Sequence, residues 1–151
     1  MDKYPGRDRL EWDYPNDLFL LGIKAEIEGI CINLVENALK YSKPETPIHV
    51  SWRQNSAGEY VFTVADQGPG IDEQDMPRIT ERYYRAARTA PDIGGSGLGL
   101  AIVQQAANKH GARLEIDNRP GISASFGVTF PSYRCLGDER KVARVIRLAD
   151  Y

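Results

Sequence analysis

The chain predicts a two-layer α/β sandwich, a mixed, largely antiparallel sheet of about five strands covered by about three helices. Three observations carry that expectation. Ile48, Val50 and Trp52, then Tyr60, Phe62 and Val64, alternate with polar residues at the two-residue period of half-buried strands. Ile23, Ile27, Ile30, Cys31, Leu34, Val35 and Ala38 recur at the spacing of one buried helix face. The elements come as two strands, helix, two strands, helix, two strands, with too few crossovers for a doubly wound parallel sheet.

In chain order, residues 9–14 and 17–20 read as short strands around the turn signal Pro15-Asn16-Asp17. A long helix follows over 23–42, stopped by Pro44. Strands at 47–53 and 59–65 flank Asn55-Ser56-Ala57-Gly58, a hairpin loop. After Asp66-Gln67-Gly68-Pro69-Gly70 come a helical piece around 72–84 and a polar loop over 85–93. Gly94-Gly95-Ser96-Gly97-Leu98-Gly99 opens a helix over 100–109, which Gly111 ends in a left-handed cap. Strands near 113–118 and 124–130 complete the sheet. We therefore expect a linker stub at 1–8, the domain at 9–133, and a charged tail at 134–151. In the tail Val142, Val145, Ile146 and Ala149 have amphipathic-helix spacing.

Bulk properties narrow the function. The 151 residues suffice for one cored domain. Nineteen Lys and Arg face 21 Asp and Glu, a balance that does not favour nucleic acid or an anionic membrane surface. No apolar run approaches the ~20 residues that span a bilayer, and Met1–Gly6 lacks the apolar stretch of a signal peptide. Cys31 and Cys135 have neither metal-ligand spacing nor a His partner and read as reduced cytosolic thiols.

Chemistry concentrates in three places. Asn33, Asn37, Lys40 and Tyr41 stand at i, i+4, i+7 and i+8, so two amides, an ammonium and a phenol share one helix stripe opposite the apolar face. Amide oxygens are hard neutral ligands for Mg²⁺, and lysine offers a point charge to phosphate. Asp66 ends a strand on the side of Phe62 and Val64, where a carboxylate needs a donor such as the exocyclic amine of a purine. Gly68 and Gly70 let the backbone pass close to a flat ring, although Asp-x-Gly-x-Gly alone is more often a simple turn. Four glycines within 94–99, directly before a core-forming helix, present backbone N–H groups to an anion.

Together Asn33-x-x-x-Asn37-x-x-Lys40-Tyr41, Asp66-x-Gly68-x-Gly70-Ile71 and Gly95-x-Gly97-Leu98-Gly99-Leu100 resemble, in order and spacing, the ATP-binding catalytic domain of sensor histidine kinases. That domain belongs to the GHKL superfamily, which shares the Bergerat fold with gyrase, Hsp90 and MutL, and the match runs over about residues 9–131. Pro77–Arg85, with Thr80-Glu81-Arg82-Tyr83-Tyr84-Arg85 where the family usually reads Phe-Glu-Arg-Phe-Tyr-Arg, looks like the aromatic box that precedes the ATP lid. This Thr-Glu-Arg variant, with Gly-Gly-Ser-Gly-Leu-Gly-Leu, is similar to the phosphate-regulon sensor kinases.

The resemblance implies roles. Asn37 would coordinate Mg²⁺ on the phosphates of ATP, with Asn33 beside it; Lys40 would meet a phosphate and Tyr41 pack near base or sugar. Asp66 would accept from the adenine amine, with Gly68, Gly70 and Ile71 around the ring. Tyr84 and Arg85 would sit at the base of a lid formed by 86–94, the arginine near the γ-phosphate. The backbone of Gly95, Ser96, Gly97, Leu98, Gly99 and Leu100 would wrap the phosphates. Asn33, Lys40 and Arg85 would be the catalytic residues. One departure stands out: where the family reads Gly-x-Gly-Thr-x-Phe, Gly121–Phe126 carries Ala124 in place of the threonine that can support the adenine carboxylate.

Superfamily hydrolases carry a glutamate at the position of Asn33 to activate water, and an amide cannot accept that proton, so phosphoryl transfer is favoured over hydrolysis. Glu36, about 60° further around the helix, reads as a solvated carboxylate. No His-Glu-x-Arg-Thr-Pro-like segment precedes Leu10, and His49 and His110 read as structural or exposed. The phosphoacceptor is therefore expected on a separate dimerisation helical domain of a larger inner-membrane sensor kinase. This domain would be cytoplasmic and monomeric in isolation, with a response regulator as the indirect partner. The alternatives are a stand-alone anti-sigma-factor serine kinase and a non-catalytic nucleotide-sensing module.

Overall fold

The computed structural model describes residues 6–15, 18–68, 70–81 and 99–136. Tyr84, Arg85, Gly95, Ser96, Gly97 and Leu98, the lid expected at 86–94, and the tail helix with Val142 to Ala149 lie outside the described residues. Five strands form one sheet: β1 (Leu10–Asp13), β3 (Ile48–Gln54), β4 (Tyr60–Asp66), β6 (Ser123–Phe130) and β5 (Arg113–Arg119), in that spatial order. Strand β1 runs parallel to β3, and every other neighbour is antiparallel. Helices α1 (Lys24–Tyr41) and α2 (Gly99–Lys109) pack on each other and cover one face of the sheet. The architecture is thus the expected mixed, largely antiparallel two-layer sandwich.

Each layer follows from its sequence period. Along α1 the buried residues are Ile27, Ile30, Cys31, Leu34, Val35 and Ala38, three and four apart throughout, as one helix face requires. In β4 Tyr60, Phe62, Val64 and Asp66 are buried in strict alternation, and in β6 Ala124, Phe126 and Val128 continue the same inner face. Ile116 of β5 packs on this core from the edge of the sheet. Burial of a side chain such as Phe62 contributes about 1.5–3 kcal/mol. Gly111, with φ of +64°, closes α2 in the left-handed conformation that its position predicts.

One expectation is corrected, and one pairing is new. Among the described residues there are two α-helices, not three. From 72 to 81 the chain makes turns and one 3₁₀ turn, Met76–Arg78. Its backbone bonds run Asp75 to Asp72, Arg78 to Asp75 and Glu81 to Arg78, all at i→i−3, and Pro77 supplies no N–H to a longer ladder. The first two strands are also not neighbours. β1 joins the main sheet, whereas β2 (Phe19–Leu20) leaves it and pairs antiparallel with β7 (Cys135–Leu136), a strand without a sequence signal of its own.

Candidate functional site

The site begins where β4 runs out. Asp66, the last residue of that strand, keeps the inward orientation of Phe62 and Val64 and is 7% exposed. Its Oδ1 accepts the Gly68 N–H at 2.8 Å. Ala124 lies directly opposite Asp66 in the register of β4 and β6. Burial pushes the Asp66 carboxyl above the usual carboxylate range, while the Gly68 and Ala124 N–H groups and the Arg9 charge pull the other way. The alanine that departs from the threonine pattern offers Asp66 no hydroxyl, and only its main chain lies near the carboxylate.

The two glycines are required for different reasons. A Cβ on Gly68 would lie 2.8 Å from the Tyr41 carbonyl oxygen and 3.2 Å from the Ser42 Cα, so backbone meets backbone there. Gly70 has φ of +69°, and a Cβ would approach the Arg119 and Ser123 carbonyls at 2.7 and 3.0 Å. Ile71 follows, buried, and its main chain is held by a side chain that sequence reasoning missed. Asn118 of β5 accepts the Ile71 N–H at 2.7 Å through Oδ1 and donates from Nδ2 to the Ile71 carbonyl. One carboxamide therefore substitutes for a neighbouring strand and fixes the turn out of the Asp66 loop.

The polar stripe of α1 lies between this loop and the second helix. Asn33 donates from Nδ2 to the Gly29 carbonyl one turn back, at 2.7 Å. That bond leaves Oδ1 as an acceptor, and it stands beside Gly99, where an added Cβ would be only 3.3 Å away. Gly99 is the first residue of α2, the end at which the helix dipole is positive. Leu100, next in α2, packs against the core. Asn37 and Tyr41 are half-buried and Lys40 is exposed. Helix rise separates Asn33 from Tyr41 by about 12 Å, so the stripe joins the Asp66 loop at one end to the opening of α2 at the other.

Of the residues singled out from sequence, the structure brings Asp66, Gly68 and Tyr41 together, with Gly70 and Ile71 beyond them, and sets Asn33 against Gly99. A carboxylate acceptor on one side and an amide oxygen with a helix N-terminus on the other fit a ligand with a flat donor-bearing ring and an anionic tail. The neutral oxygen of Asn33 is the kind of ligand a hard cation accepts, and Asn37 lies on the same helix stripe. Besides Asn118, Ser42 and Arg9 escaped sequence reasoning. Ser42 is buried beside the Gly68 contact, and Arg9 donates to its hydroxyl.

The histidines behave as expected. His49 is exposed on β3, 3.0 Å from Glu11. His110 is buried: Nδ1 lies 2.8 Å from the Ala106 carbonyl, and Nε2 accepts the Ile23 N–H at 3.0 Å, which holds the end of α2 against the start of α1. Cys31 and Cys135 are free thiols, and burial pushes both upward from the ordinary thiol range. No helix among the described residues is long and apolar enough to cross a membrane.

Comparison with known proteins shows the family of the chain. Residues 22–134 match the family model of histidine kinase-, DNA gyrase B- and HSP90-like ATPases. The phosphate regulon sensor protein PhoR of Pseudomonas aeruginosa is 38% identical over 137 residues, covering 90% of this chain and 31% of that protein. The signal transduction histidine-protein kinase/phosphatase MprB of Mycolicibacterium smegmatis is 45% identical over 128 residues, 78% of this chain and 25% of its own length. The chain thus spans about a third or less of these relatives. Among solved structures, a mycobacterial sensor histidine kinase MprB superposes with a TM-score of 0.71 at 31% identity, covering 83% of this chain and 85% of that one. Full-length ShkA in complex with AMPPNP gives 0.66 at 26% identity, covering 81% of this chain and 25% of ShkA.

Proposed function

Because this chain belongs to the histidine kinase-, DNA gyrase B- and HSP90-like ATPase family, we propose that it is the ATP-binding catalytic domain of a two-component sensor histidine kinase. The observation that carries the reading is the buried Asp66 carboxylate at the end of β4, which accepts the Gly68 N–H and keeps acceptor capacity to spare. Its relatives are named as sensor kinases, and ShkA, which shares the fold, was solved with AMPPNP bound. That favours the sensor kinase over the anti-sigma-factor serine kinase and over a non-catalytic nucleotide sensor.

In this reading the adenine amine donates to Asp66, and Gly68, Gly70 and Ile71 lie beside the ring, the glycines letting the loop pack tightly on the backbone behind it. Asn33 and Asn37 would hold Mg²⁺, which when bound neutralises phosphate charge and draws electron density from the γ-phosphoryl group. Lys40 and Arg85 supply positive charge to the phosphates, Tyr41 and Tyr84 pack beside the nucleotide, and Gly95, Ser96, Gly97, Leu98, Gly99 and Leu100 offer backbone N–H groups to it. Asn33, an amide already donating to Gly29, cannot take a proton from water, so the domain orients ATP instead of hydrolysing it efficiently. The γ-phosphoryl group passes to a histidine on a separate dimerisation helical domain and from there to a response regulator, with this domain on the cytoplasmic side of the membrane. The PhoR likeness favours a phosphate-regulon type of sensor.

Calorimetric titration of AMPPNP with and without Mg²⁺, on wild type and Asp66→Asn, tests this. Micromolar binding that Mg²⁺ strengthens and the substitution removes is the expected result; no binding in any condition would overturn it. Adding the helical domain in trans should then give acid-labile phosphohistidine.

A further inference from the structure

Arg9 lies outside every motif, yet among the described residues near the site its guanidinium makes three hydrogen bonds. Nε donates to the Thr46 carbonyl at 2.9 Å, and Nη2 donates to the Lys43 carbonyl at 2.8 Å and to the Ser42 hydroxyl. All three acceptors belong to the turn that leaves α1 directly after Tyr41. A planar fork that satisfies several acceptors at once fixes their relative positions in a way that a single ammonium cannot.

That turn is also the wall behind Asp66. The Tyr41 carbonyl and the Ser42 Cα are the backbone atoms that a Cβ on Gly68 would strike, and the Gly68 N–H is what holds Asp66. A continuous set of contacts therefore runs from Arg9 through the 41–46 turn to Gly68 and the Asp66 carboxylate. Arg9 itself precedes β1, which enters the sheet parallel to β3 with Leu10 opposite Ile48. A Cβ on Gly6 would meet the Arg9 stem and Leu39 of α1 at 3.4 and 3.5 Å, so the segment before β1 lies beside the same helix end.

We propose that Arg9 is a positioning residue for base recognition, which clamps the turn after α1 so that Gly68 and Asp66 keep the geometry that accepts an exocyclic amine. It touches neither base nor phosphate in this scheme. Its effect falls on the base end of the nucleotide alone, and through β1 it links the path of the entering chain to adenine selectivity. The inference rests on the proposed reading of Asp66 as the base acceptor.

The test is a calorimetric comparison of AMPPNP with its hypoxanthine counterpart, which lacks the exocyclic amine, on wild type, Arg9→Gln, Arg9→Lys and Ser42→Ala. Wild type should prefer the adenine form. Arg9→Gln should lower adenine-analogue affinity about tenfold, as expected for loss of charge-assisted bonds, and leave hypoxanthine-analogue affinity within about twofold. Arg9→Lys should recover only part of the preference, because one ammonium cannot reproduce the fork. Equal weakening of both nucleotides, or no change in either, would overturn the role of Arg9. Absence of any adenine preference in wild type would instead overturn the Asp66 reading and this proposal with it. If Arg9→Gln does not fold, Ser42→Ala decides by the same criterion: a selective loss of a few fold supports the clamp, and an unselective or absent loss overturns it.

Discussion

Strands β4 and β6 lie side by side in one register, yet their two ends are built for opposite purposes. At one end Tyr60 faces Phe130 and Phe62 faces Val128, and Trp52 of β3 packs at a tilt against Phe62 and Phe130 with ring centroids 5.0 and 5.8 Å away. At the other end the same inner face reaches Asp66 opposite Ala124, with Asn118 across from Ala124 on the far side. Bulk falls and polarity rises along a single pair of strands. The aromatic end supplies packing energy, with the Tyr60 hydroxyl donating to the Leu136 carbonyl, and the carboxylate end carries a buried charge-bearing group that the Gly68 N–H holds. A destabilising burial at Asp66 is tolerable because the aromatic end, a few residues away, holds the strands in place.

Substitutions at the two ends should separate stability from binding. The largest effect is expected for Phe62→Ala, about 3–5 kcal/mol of lost stability in urea unfolding, with nucleotide affinity of the folded fraction unchanged. Affinity falling in proportion would mean that the ends are not independent. Asp66→Asn should do the reverse, weakening adenine-nucleotide binding about ten- to a hundredfold (~1.5–3 kcal/mol for a bond to a charged group), with stability changed far less.

The same residue sharpens the contrast through pH. Its carboxyl is raised in the folded state, chiefly by burial, so the folded protein holds that proton to higher pH than the unfolded chain. Stability from Asp66 is then present below the unfolded carboxylate range, near pH 4, and is lost as pH rises through the folded value. Urea unfolding from acidic to neutral pH should show wild type losing stability relative to Asp66→Asn, and a gain would contradict the burial. Asn118→Ala strips both partners from the Ile71 main chain and should cost about 1–2 kcal/mol, with a few-fold loss of affinity in the same titration. The smallest effect belongs to the outer face. The exposed Arg53–Asp13 ion pair should contribute under about 1 kcal/mol, reduced further by salt in a double-mutant cycle.

Sequence reasoning succeeded where one short window contains the whole physical constraint. The α1 face and the β4 alternation are periodic over a few residues, and Gly68, Gly70 and Asp66 form one local motif. It failed where the constraint joins distant windows. Arg9 meets Ser42 and Thr46 from 33 and 37 residues away, and Asn118 reaches Ile71 across 47. Neither arginine before a strand nor asparagine within one signals such a partner. The Asn118–Ala124–Asp66 row becomes readable only once the pairing of three strands is known. The missing helix is a different failure, because composition between 72 and 81 suits a helix while Pro77 and the i→i−3 bonds divide it into turns.

The small β2–β7 ribbon carries a consequence for how the domain is made in the cell. Leu20 is almost wholly buried, but its strand has β7 as its partner, and the Leu21 N–H and carbonyl are taken by Arg134, at 2.8 and 3.1 Å. On a ribosome that adds ~5–20 residues per second, those partners emerge on the order of ten seconds after Leu20 does. Until then the nascent chain carries an apolar segment whose strand partner is missing. Assembly must close from its two ends, and a stalled or truncated translation product that stops before Cys135 would present Leu18, Phe19 and Leu20 to whatever chaperone arrives first.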